Sequence, residues 1–225
     1  MNEESIKQFI DNNVSVDRIF SVPFMRINIE SLIDKKEIKT LIDHAADNSL
    51  ITKSIGNSTT NNANLLDEYY SEFLLTKILE SLVKNYFFLL GHNSLDIKIV
   101  QSWLNINQQK EFHHKHYHSN SYISGVLYLS SGINQGQFRI YRPSNQQLLQ
   151  IPINNYNEFN FDHYFYEPVK YDVFLFPSSY SHDVSENNSI EPRISLAFNA
   201  FPFGVFGNNE ANDLHIHNVS GVKRY

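Results

Sequence analysis

The sequence of 225 residues contains no cysteine. This absence excludes disulfides, cysteine-zinc sites, iron–sulfur clusters and thiolate nucleophiles. Long apolar runs are also missing. The most apolar stretch, NYFFLLG (85–91), is far shorter than the roughly 20 residues that a membrane-spanning helix needs. The first residues, MNEESIKQFIDNN, show no basic segment followed by an apolar one, so we expect no signal peptide, no membrane partner and a cytoplasmic location.

Basic residues are in the minority. The chain has 18 Lys and Arg against 24 Asp and Glu, a formal net charge of −6. Nucleic-acid backbones are bound by clustered Lys and Arg, so we expect no such partner. Hydrophobic residues make up 41% and aromatic residues 14% of the chain, which is typical of a globular protein with a packed core. The length predicts a single domain over residues 1–225.

Residues 1–94 are predicted to form a supporting region, mainly helical. VPFMRINIE (22–30) has the composition of a strand, and Asp34 and Glu37 have the spacing of a helix start. The segment 48–64, rich in Asn, Ser and Thr, predicts a loop. Residues 66–90 predict one long helix that Gly91 ends. Its apolar stripe consists of Leu75, Ile78, Leu79, Leu82 and Tyr86.

After Gly91 the hydrophobic pattern alternates, as in strands. The predicted strands are 95–107, 121–131, 136–143, 171–177 and 193–202. Helices followed by strands predict an α+β fold, a double-stranded β-helix (jelly roll) over 95–202 with the N-terminal helices packed outside and 203–225 as a tail. The polar, aromatic segment 145–168 is predicted to be a lid or specificity loop. In the strand 95–107 we expect two faces, Ile97, Ile99 and Trp103 on one and Val100, Leu104 and Ile106 on the other.

A cluster of four of the ten histidines lies between positions 113 and 118. In an extended segment His114, His116 and His118 would project to one face, and neutral imidazole is a good ligand for iron, zinc, copper or nickel. A further ligand is available from His182, which follows the strand 171–177. Two of these imidazoles, two positions apart, could share one metal ion with His182, and whether the pair is His114 with His116 or His116 with His118 stays open.

Arg193 begins the last predicted strand, where it shares a face with Ser195, Ala197 and Asn199. If the opposite face packs on apolar neighbours, this face points a guanidinium into the barrel. A buried arginine needs an anionic partner, and a carboxylate held through two guanidinium nitrogens fits best. Metal ligands at the barrel mouth and an arginine deeper inside describe a site for a dicarboxylate that also chelates the metal, which is 2-oxoglutarate.

In their order and spacing these residues resemble the 2-oxoglutarate/Fe(II)-dependent oxygenase superfamily, and within it a group of oxygenases found in phages and marine bacteria. The segments that carry the resemblance are W-x-N at 103–105, HxHxxS..SGV.YL at 116–129, FPSSYSHDV at 176–184 and RIS..FN at 193–199. The resemblance implies an oxygenase that uses Fe(II), 2-oxoglutarate and O₂. It couples decarboxylation of 2-oxoglutarate to oxidation of a C–H bond, with hydroxylation as the default outcome. It further implies a small-molecule or peptidyl substrate, and a homodimer stays open.

The resemblance also assigns roles to residues. The expected iron ligands are His116, His118 and His182. The expected 2-oxoglutarate-binding residues are Arg193, Ser195, Tyr128, Asn105 and Trp103. In most of the superfamily a carboxylate takes the place of His118, and a turn glycine takes that of Tyr171.

Several alternatives stay open. A cupin-type three-histidine dioxygenase would use O₂ without 2-oxoglutarate, and a non-catalytic jelly-roll module would bind metal only. A zinc hydrolase is a more distant alternative. Asp183 is expected to be a turn residue, although it is the nearest carboxylate should His118 not be a ligand. We expect His113 and His114 to be supporting or surface residues, Gly125 to mark a close approach or a bulge, and His215 and His217 to lie on a half-exposed strand.

Overall fold

The computed structural model describes residues 3–15, 21–47, 50–53, 56–130, 132–143, 152–158, 160–207 and 213–218. The helices in these residues are α1 (Glu3–Asn13), α2 (Lys35–Ala46), α3 (Leu65–Tyr69) and α4 (Leu74–Leu89). The strands are β1 (Met25–Asn28), β2 (Ile51–Lys53), β3 (Ser58–Thr60), β4 (Asp96–Asn107), β5 (His113–His116), β6 (Ile123–Ser130), β7 (Phe138–Tyr141), β8 (His163–Tyr166), β9 (Asp172–Pro177), β10 (His182–Val184), β11 (Arg193–Phe206) and β12 (Leu214–Ile216).

The strands form two antiparallel sheets. The larger has the order β1-β9-β6-β11-β4-β3-β2, with β12 also paired to β11, and the smaller has the order β5-β10-β7-β8. Neighbours in these sheets are mostly distant in sequence, as in the jelly rolls that antiparallel strands build. The predicted α+β fold, a jelly roll with helices outside it, is confirmed. Within the described residues no helix is both long and apolar enough to span a bilayer.

The larger sheet separates two cores. Alternation along β6 sends Leu127 and Leu129 toward the helices, where they join a large cluster with residues such as Leu41 and Leu79. Val126 and Tyr128 point the other way and pack with Phe138, Phe174 and Phe176. These three layers, of helices, large sheet and small sheet, leave the space between the sheets for a site.

The helix start predicted at Asp34 is confirmed, whereas Glu37 acts at a different helix. Asp34 accepts a hydrogen bond from the Lys36 N–H at 2.7 Å and so caps α2. Glu37 instead reaches a different helix, since its two carboxylate oxygens accept from the N–H groups of Leu74 and Leu75 at 2.8 and 3.0 Å. Glu37 therefore supplies acceptors to the exposed start of α4, whose own N-cap residue, Phe73, has no side chain to do so.

The single helix predicted over 66–90 is wrong, because the structure has two helices there, α3 and α4. The Leu66 N–H donates to Ser102 Oγ at 2.8 Å, which fixes the start of α3 on β4. The Tyr70 carbonyl accepts from the Thr76 hydroxyl at 2.7 Å. A helix that continued through residue 73 could not make both attachments. The end at Gly91 is confirmed by its positive φ of 86°.

The loop predicted over 48–64 is also wrong in part, since β2 and β3 form a hairpin inside it. Ser58 and Thr59 pair with Ile106 and Asn105 of β4, and the Thr60 hydroxyl accepts from the Leu104 N–H at 3.1 Å. Polar residues hold this edge of the sheet, so apolar alternation gave no signal. The strand predicted over 22–30 is shorter than expected, because β1 spans only Met25–Asn28.

The two faces predicted for 95–107 are wrong because β4 contains a bulge. Gln101 pairs with Asn199 and Ile99 with Ala200, which leaves Val100 as an extra residue. The extra residue reverses the alternation. Ile97, Ile99, Leu104 and Ile106 therefore lie in the same core, while Trp103, Asn105 and Asn107 line the space between the sheets.

The segment predicted as a lid, 145–168, contains a strand. β8 pairs with β7 over His163–Tyr166, so its C-terminal part belongs to the smaller sheet, whereas residues 144–151 and 159 lie outside the described residues. At the C-terminus, β11 continues to Phe206 and pairs with β12, beyond the predicted core boundary at residue 202. His215 and His217 are exposed on and beside β12, which confirms a half-exposed strand.

Candidate metal centre

Three histidines converge at one end of the space between the sheets. His116 ends β5, His118 follows two residues later, and His182 begins β10 directly opposite His116 in the sheet register. One ring nitrogen of each lies within 4.8 Å of the others, and the Nε2 atoms of His116 and His118 are 3.1 Å apart. The backbone holds this arrangement, because the His118 N–H donates to the Ser178 carbonyl at 3.0 Å.

The hydrogen bonds at Nδ1 determine which nitrogen can bind a metal. The Nδ1 atoms of His116 and His182 contact the backbone carbonyls of His114 and Tyr180 at 2.7 and 3.1 Å. A carbonyl only accepts, so both Nδ1 atoms carry the proton and both Nε2 atoms keep a free lone pair. His118 Nδ1 lies 2.7 Å from the amide oxygen of Asn199, which favours the same tautomer.

Burial keeps the rings neutral. It lowers the pKa of His118 to about 4 and also lowers the pKa of His116. The pKa of His182 is held well below its ordinary value, first by burial and then by the neighbouring imidazoles. Neutral imidazole is the form that binds metals, so no proton has to be displaced near neutral pH.

The site fits a divalent metal ion such as Fe(II). Two nitrogens that bind one ion at right angles with bonds of about 2.1 Å are about 3.0 Å apart, close to the 3.1 Å between His116 and His118. Two lone pairs that face each other at this distance repel, and a cation between them removes the repulsion. Three ligands on one side of an ion leave its other positions open, as in non-haem iron oxygenases.

A cavity extends from these histidines into the space between the sheets. It encloses about 470 Å³, part of which is open to solvent. Arg193 lies in its lining and is only 1% exposed. The cavity lining also includes Trp103, Asn105, Asn107, His113, Tyr128, Ser195 and Ala197.

Two protein oxygens accept hydrogen bonds from the Arg193 guanidinium and hold it in place. Its Nη1 donates to the Gln135 carbonyl at 2.6 Å and its Nη2 to Asn107 Oδ1 at 2.7 Å. A Cβ atom on Gly136 would lie 2.7 Å from Nη1, so glycine is what lets the backbone approach so closely. None of the ion pairs among the described residues includes Arg193, and burial lowers its pKa. The guanidinium is thus positioned but not neutralised.

Three residues next to this guanidinium carry a polar side-chain atom without a hydrogen-bond partner among the described residues. Tyr128 Oη, Asn107 Nδ2 and Gln135 Oε1 are buried and have no hydrogen-bond partner among the described residues. Burial raises the pKa of Tyr128, so its phenol keeps the proton. Buried polar groups without partners are costly and rare. A carboxylate beside Arg193 would accept from the Tyr128 hydroxyl and the Asn107 amide, which fits the distal carboxylate of 2-oxoglutarate.

Comparison with known proteins agrees with this geometry. The family described as "Putative 2OG-Fe(II) oxygenase" matches residues 101–199, which include all three histidines and Arg193. This stretch of the chain, somewhat less than half of it, is similar to 2OG-Fe(II) oxygenases. The cofactors of this family are Fe(II), 2-oxoglutarate and O₂. A search of curated proteins found no significant match.

Solved structures similar to this protein share its fold at low identity. The α-ketoglutarate-dependent epimerase SnoN from nogalamycin biosynthesis is 11% identical with a TM-score of 0.60, covering 99% of this chain and 97% of that one. A Pseudomonas putida prolyl-4-hydroxylase is 16% identical with a TM-score of 0.52, covering 80% and 92%. HygX from Streptomyces hygroscopicus, with nickel, 2-oxoglutarate and hygromycin B bound, is 11% identical with a TM-score of 0.52, covering 100% and 98%.

Around the cavity the predicted inward face of β11 is confirmed. Arg193, Ser195 and Ala197 line the cavity, while Ile194, Leu196 and Phe198 pack in the large core. Trp103 and Asn105 also line the cavity, with the indole N–H donating to Asn105 Oδ1 at 3.1 Å. The structure thus brings every predicted site residue to one cavity.

Of the two positions expected for His113, supporting or surface, the structure shows the supporting one, because this side chain lines the cavity. Its ring stacks on that of His116 with 4.5 Å between ring centroids, and Asn57 Nδ2 lies 3.5 Å from its Nδ1. Burial lowers its pKa to about 3. An irregular register between β5 and β10 turns it inward, and strict alternation could not have found it. His114, by contrast, is exposed.

The expectation that Asp183 lies in a turn is wrong. It is a buried strand residue in β10, where its carboxylate accepts from Arg139 Nε and Nη2 at 2.6 and 3.0 Å and from the Tyr141 hydroxyl at 2.7 Å. Alternation along β10 directs it away from His182, so these contacts, and not a metal, satisfy its charge. Gly125 marks a close approach, since a Cβ atom there would overlap the Phe198 ring.

Proposed function

We propose that the protein is an Fe(II)/2-oxoglutarate-dependent hydroxylase whose iron is held by His116, His118 and His182. The observation that carries the proposal is the combination, in one cavity, of three convergent imidazoles and a buried arginine that has no anionic partner among the described residues. Three imidazoles by themselves would also suit a zinc site, and a buried arginine by itself would also suit a purely structural role. A dicarboxylate that chelates a metal connects both features. The family match over residues 101–199 supports the same conclusion.

The proposed roles follow from position and chemistry. Arg193, supported by Asn107, binds the distal carboxylate of 2-oxoglutarate, and the Tyr128 and Ser195 hydroxyls donate to it. Trp103 and Asn105 form a wall of the same cavity. When bound, iron and 2-oxoglutarate would supply the oxidising chemistry with O₂ as the oxidant, one oxygen atom going to succinate as CO₂ is lost and the other to the substrate C–H bond. The role of the protein is to bind and orient the metal, 2-oxoglutarate and the substrate, and to exclude water from them.

The histidine at position 118 changes the charge of the site. Three neutral imidazoles leave it one unit more positive than two imidazoles and a carboxylate. A more positive site attracts dianionic 2-oxoglutarate more strongly. We therefore infer that metal and 2-oxoglutarate stabilise each other in this site more than in a carboxylate-containing one.

For the substrate we propose a small molecule or a peptidyl side chain. One similar structure is a prolyl-4-hydroxylase and another contains hygromycin B, so this fold accommodates both classes. Hydroxylation is the proposed outcome because it requires no further group from the protein. SnoN is an epimerase with the same fold, so product analysis by mass spectrometry decides the outcome: a gain of one oxygen supports the proposal, and an unchanged mass contradicts hydroxylation.

The experiment that tests the proposal measures succinate released from labelled 2-oxoglutarate by Fe(II)-loaded protein, without primary substrate. We expect iron-dependent succinate release in the unaltered protein. It should fall at least about 100-fold in Arg193→Ala and in His182→Ala, as expected when a buried charge partner or a metal ligand is lost. Exposed Arg26→Ala and His215→Ala are the matched controls and should keep full activity.

The same experiment separates the rival functions. A three-histidine dioxygenase that does not use 2-oxoglutarate would consume O₂ with its own substrate and release no succinate, and Arg193→Ala would not affect it. A non-catalytic module would bind metal without either reaction. Folding of each variant is checked by circular dichroism, since Arg193 is fully buried.

A further inference from the structure

The hydrogen-bond partners of His118 Nδ1 are side chains, whereas the partners of the other two histidines are backbone groups. Backbone carbonyls accept from His116 and His182, and no substitution removes a backbone carbonyl. The partners of His118 Nδ1 are two side chains, Asn199, whose Oδ1 lies 2.7 Å away, and Ser124, whose Oγ lies 2.8 Å away. Among the three proposed ligands, therefore, His118 alone has a proton whose position depends on a replaceable side chain.

Asn199 is itself held in one orientation. Its Nδ2 donates to Gln101 Oε1 at 2.9 Å, which leaves Oδ1 facing His118. The Ser124 hydroxyl donates to the same Oδ1 at 2.8 Å, and Ser178 Oγ lies 2.8 Å from Ser124 Oγ. Asn199 is 3% exposed, and both serines are fully buried. Water cannot readily replace a partner inside such a closed network.

The tautomer of His118 determines whether its Nε2 atom can bind a metal. A neutral imidazole has one protonated and one free nitrogen, and only the free nitrogen binds a metal. The acceptor at Nδ1 therefore selects Nε2 as the ligand atom, and Nε2 is the atom 3.1 Å from His116 Nε2. Without Asn199 Oδ1, only the Ser124 hydroxyl remains at Nδ1. A hydroxyl can donate as well as accept, so the proton can then move to Nε2, where it would block the metal position.

We propose that Asn199 is a positioning residue of the metal centre, which keeps the His118 proton on Nδ1 and so presents Nε2 to the ion. The inference rests on the proposed function, because His118 must be a ligand. The proposal also accounts for a requirement that arises when a histidine replaces the common carboxylate ligand, namely control of its tautomer. A carboxylate binds through either oxygen and needs no tautomer control, whereas His118 does, and Asn199 with Gln101 supplies it.

The first test measures Co(II) affinity by calorimetry in the absence of O₂. Asn199→Leu, of similar size but without an acceptor, should weaken binding about 10–100-fold, the usual effect of losing a partner of a ligating histidine. Asn199→Asp keeps an acceptor and should stay within about threefold of the unaltered protein. Asn64→Leu is the control, because Asn64 is equally buried but lies outside the cavity. Equal affinity in Asn199→Leu and the unaltered protein would overturn the proposal.

The second test reads the tautomer directly and needs no metal. Long-range ¹H–¹⁵N NMR spectra distinguish a proton on Nδ1 from one on Nε2. We expect the Nδ1–H tautomer at His118 in the metal-free protein and in Asn199→Asp, and a mixture in Asn199→Leu. A proton on Nε2 in the unaltered protein would refute the inference. If Asn199→Leu does not fold, half-buried Gln101→Leu releases the amide of Asn199 and should give the same mixture, and an unchanged Nδ1–H signal would contradict the proposal.

A third test uses the carboxylate itself. In His118→Asp, adding Asn199→Leu should change Co(II) affinity less than about threefold, because no tautomer remains to be fixed. A full 10–100-fold loss in that background would show that Asn199 acts in another way. Failure of the proposed function is distinguishable, since the succinate assay would then show no turnover of 2-oxoglutarate, while the Co(II) and NMR results still decide the role of Asn199.

Discussion

Gly136 allows a direct measurement of how tightly the floor of the cavity is packed around Arg193. Its φ is +87°, and an added Cβ would lie 2.7 Å from Arg193 Nη1 and overlap the Ser185 carbonyl. Gly91 has nearly the same φ, +86°, but nothing lies within 4 Å of its added Cβ. Substitution of each by alanine therefore imposes the same backbone cost, and only Gly136→Ala adds steric overlap.

The expected magnitudes follow from this comparison. A left-handed backbone costs a residue with a Cβ about 1–2 kcal/mol, so Gly91→Ala should lower the free energy of unfolding by about that amount. Gly136→Ala should lower it by about 2–5 kcal/mol, because overlap in a packed site adds about 1–3 kcal/mol to the backbone cost. It should also raise the KM for 2-oxoglutarate, since Arg193 must move. Urea unfolding and succinate release measure the two effects. Equal losses of stability, with an unchanged KM, would refute the argument.

Three further predictions concern other parts of the molecule. His118→Asp should retain more Fe(II) binding than His118→Ala, because a carboxylate is also an iron ligand, and equal loss on anaerobic metal analysis would contradict the role of this position. Glu37→Ala should lower the free energy of unfolding by about 1–2 kcal/mol, because two N–H groups of α4 lose their acceptor, while a urea midpoint unchanged from that of exposed Glu72→Ala would contradict this. Arg139→Ala should lower the free energy of unfolding by about 1–3 kcal/mol, since the buried Asp183 carboxylate loses both guanidinium hydrogen bonds and, of its three described contacts, keeps the one from the Tyr141 hydroxyl. A thermal midpoint like that of Arg26→Ala would contradict this prediction.

The sequence predicted the parts of the fold that rest on apolar periodicity. β6, β9 and β11 were found because their residues alternate between two buried faces, or are apolar throughout. The hairpin of β2 and β3 was missed, since polar residues such as Thr60 hold it to β4 through side-chain hydrogen bonds. The bulge at Val100 and the break between α3 and α4 were missed for a related reason. Both arise from contacts with distant residues, Ala200 in one case and Ser102 in the other.

The candidate site was predictable to the extent that its residues occur in recognisable spacing. His116, His118, His182 and Arg193 could be found because two short segments and one strand position carry them. Asn107 and Asn199 were not assigned roles, because an asparagine in a strand carries no signal until its partner is known. For His113 the sequence could not decide between a supporting and a surface position, because its inward direction depends on an irregular strand register.

The most direct test of the account is calorimetric titration of 2-oxoglutarate into Fe(II)-loaded protein without O₂. The central claim is that the three histidines and Arg193 bind opposite ends of one dicarboxylate. We predict one 2-oxoglutarate per iron, no measurable binding without a metal, and at least about 100-fold weaker binding in Arg193→Lys, which keeps the charge but loses the two-nitrogen contact. Binding of 2-oxoglutarate that depends on neither the metal nor Arg193 would contradict the account.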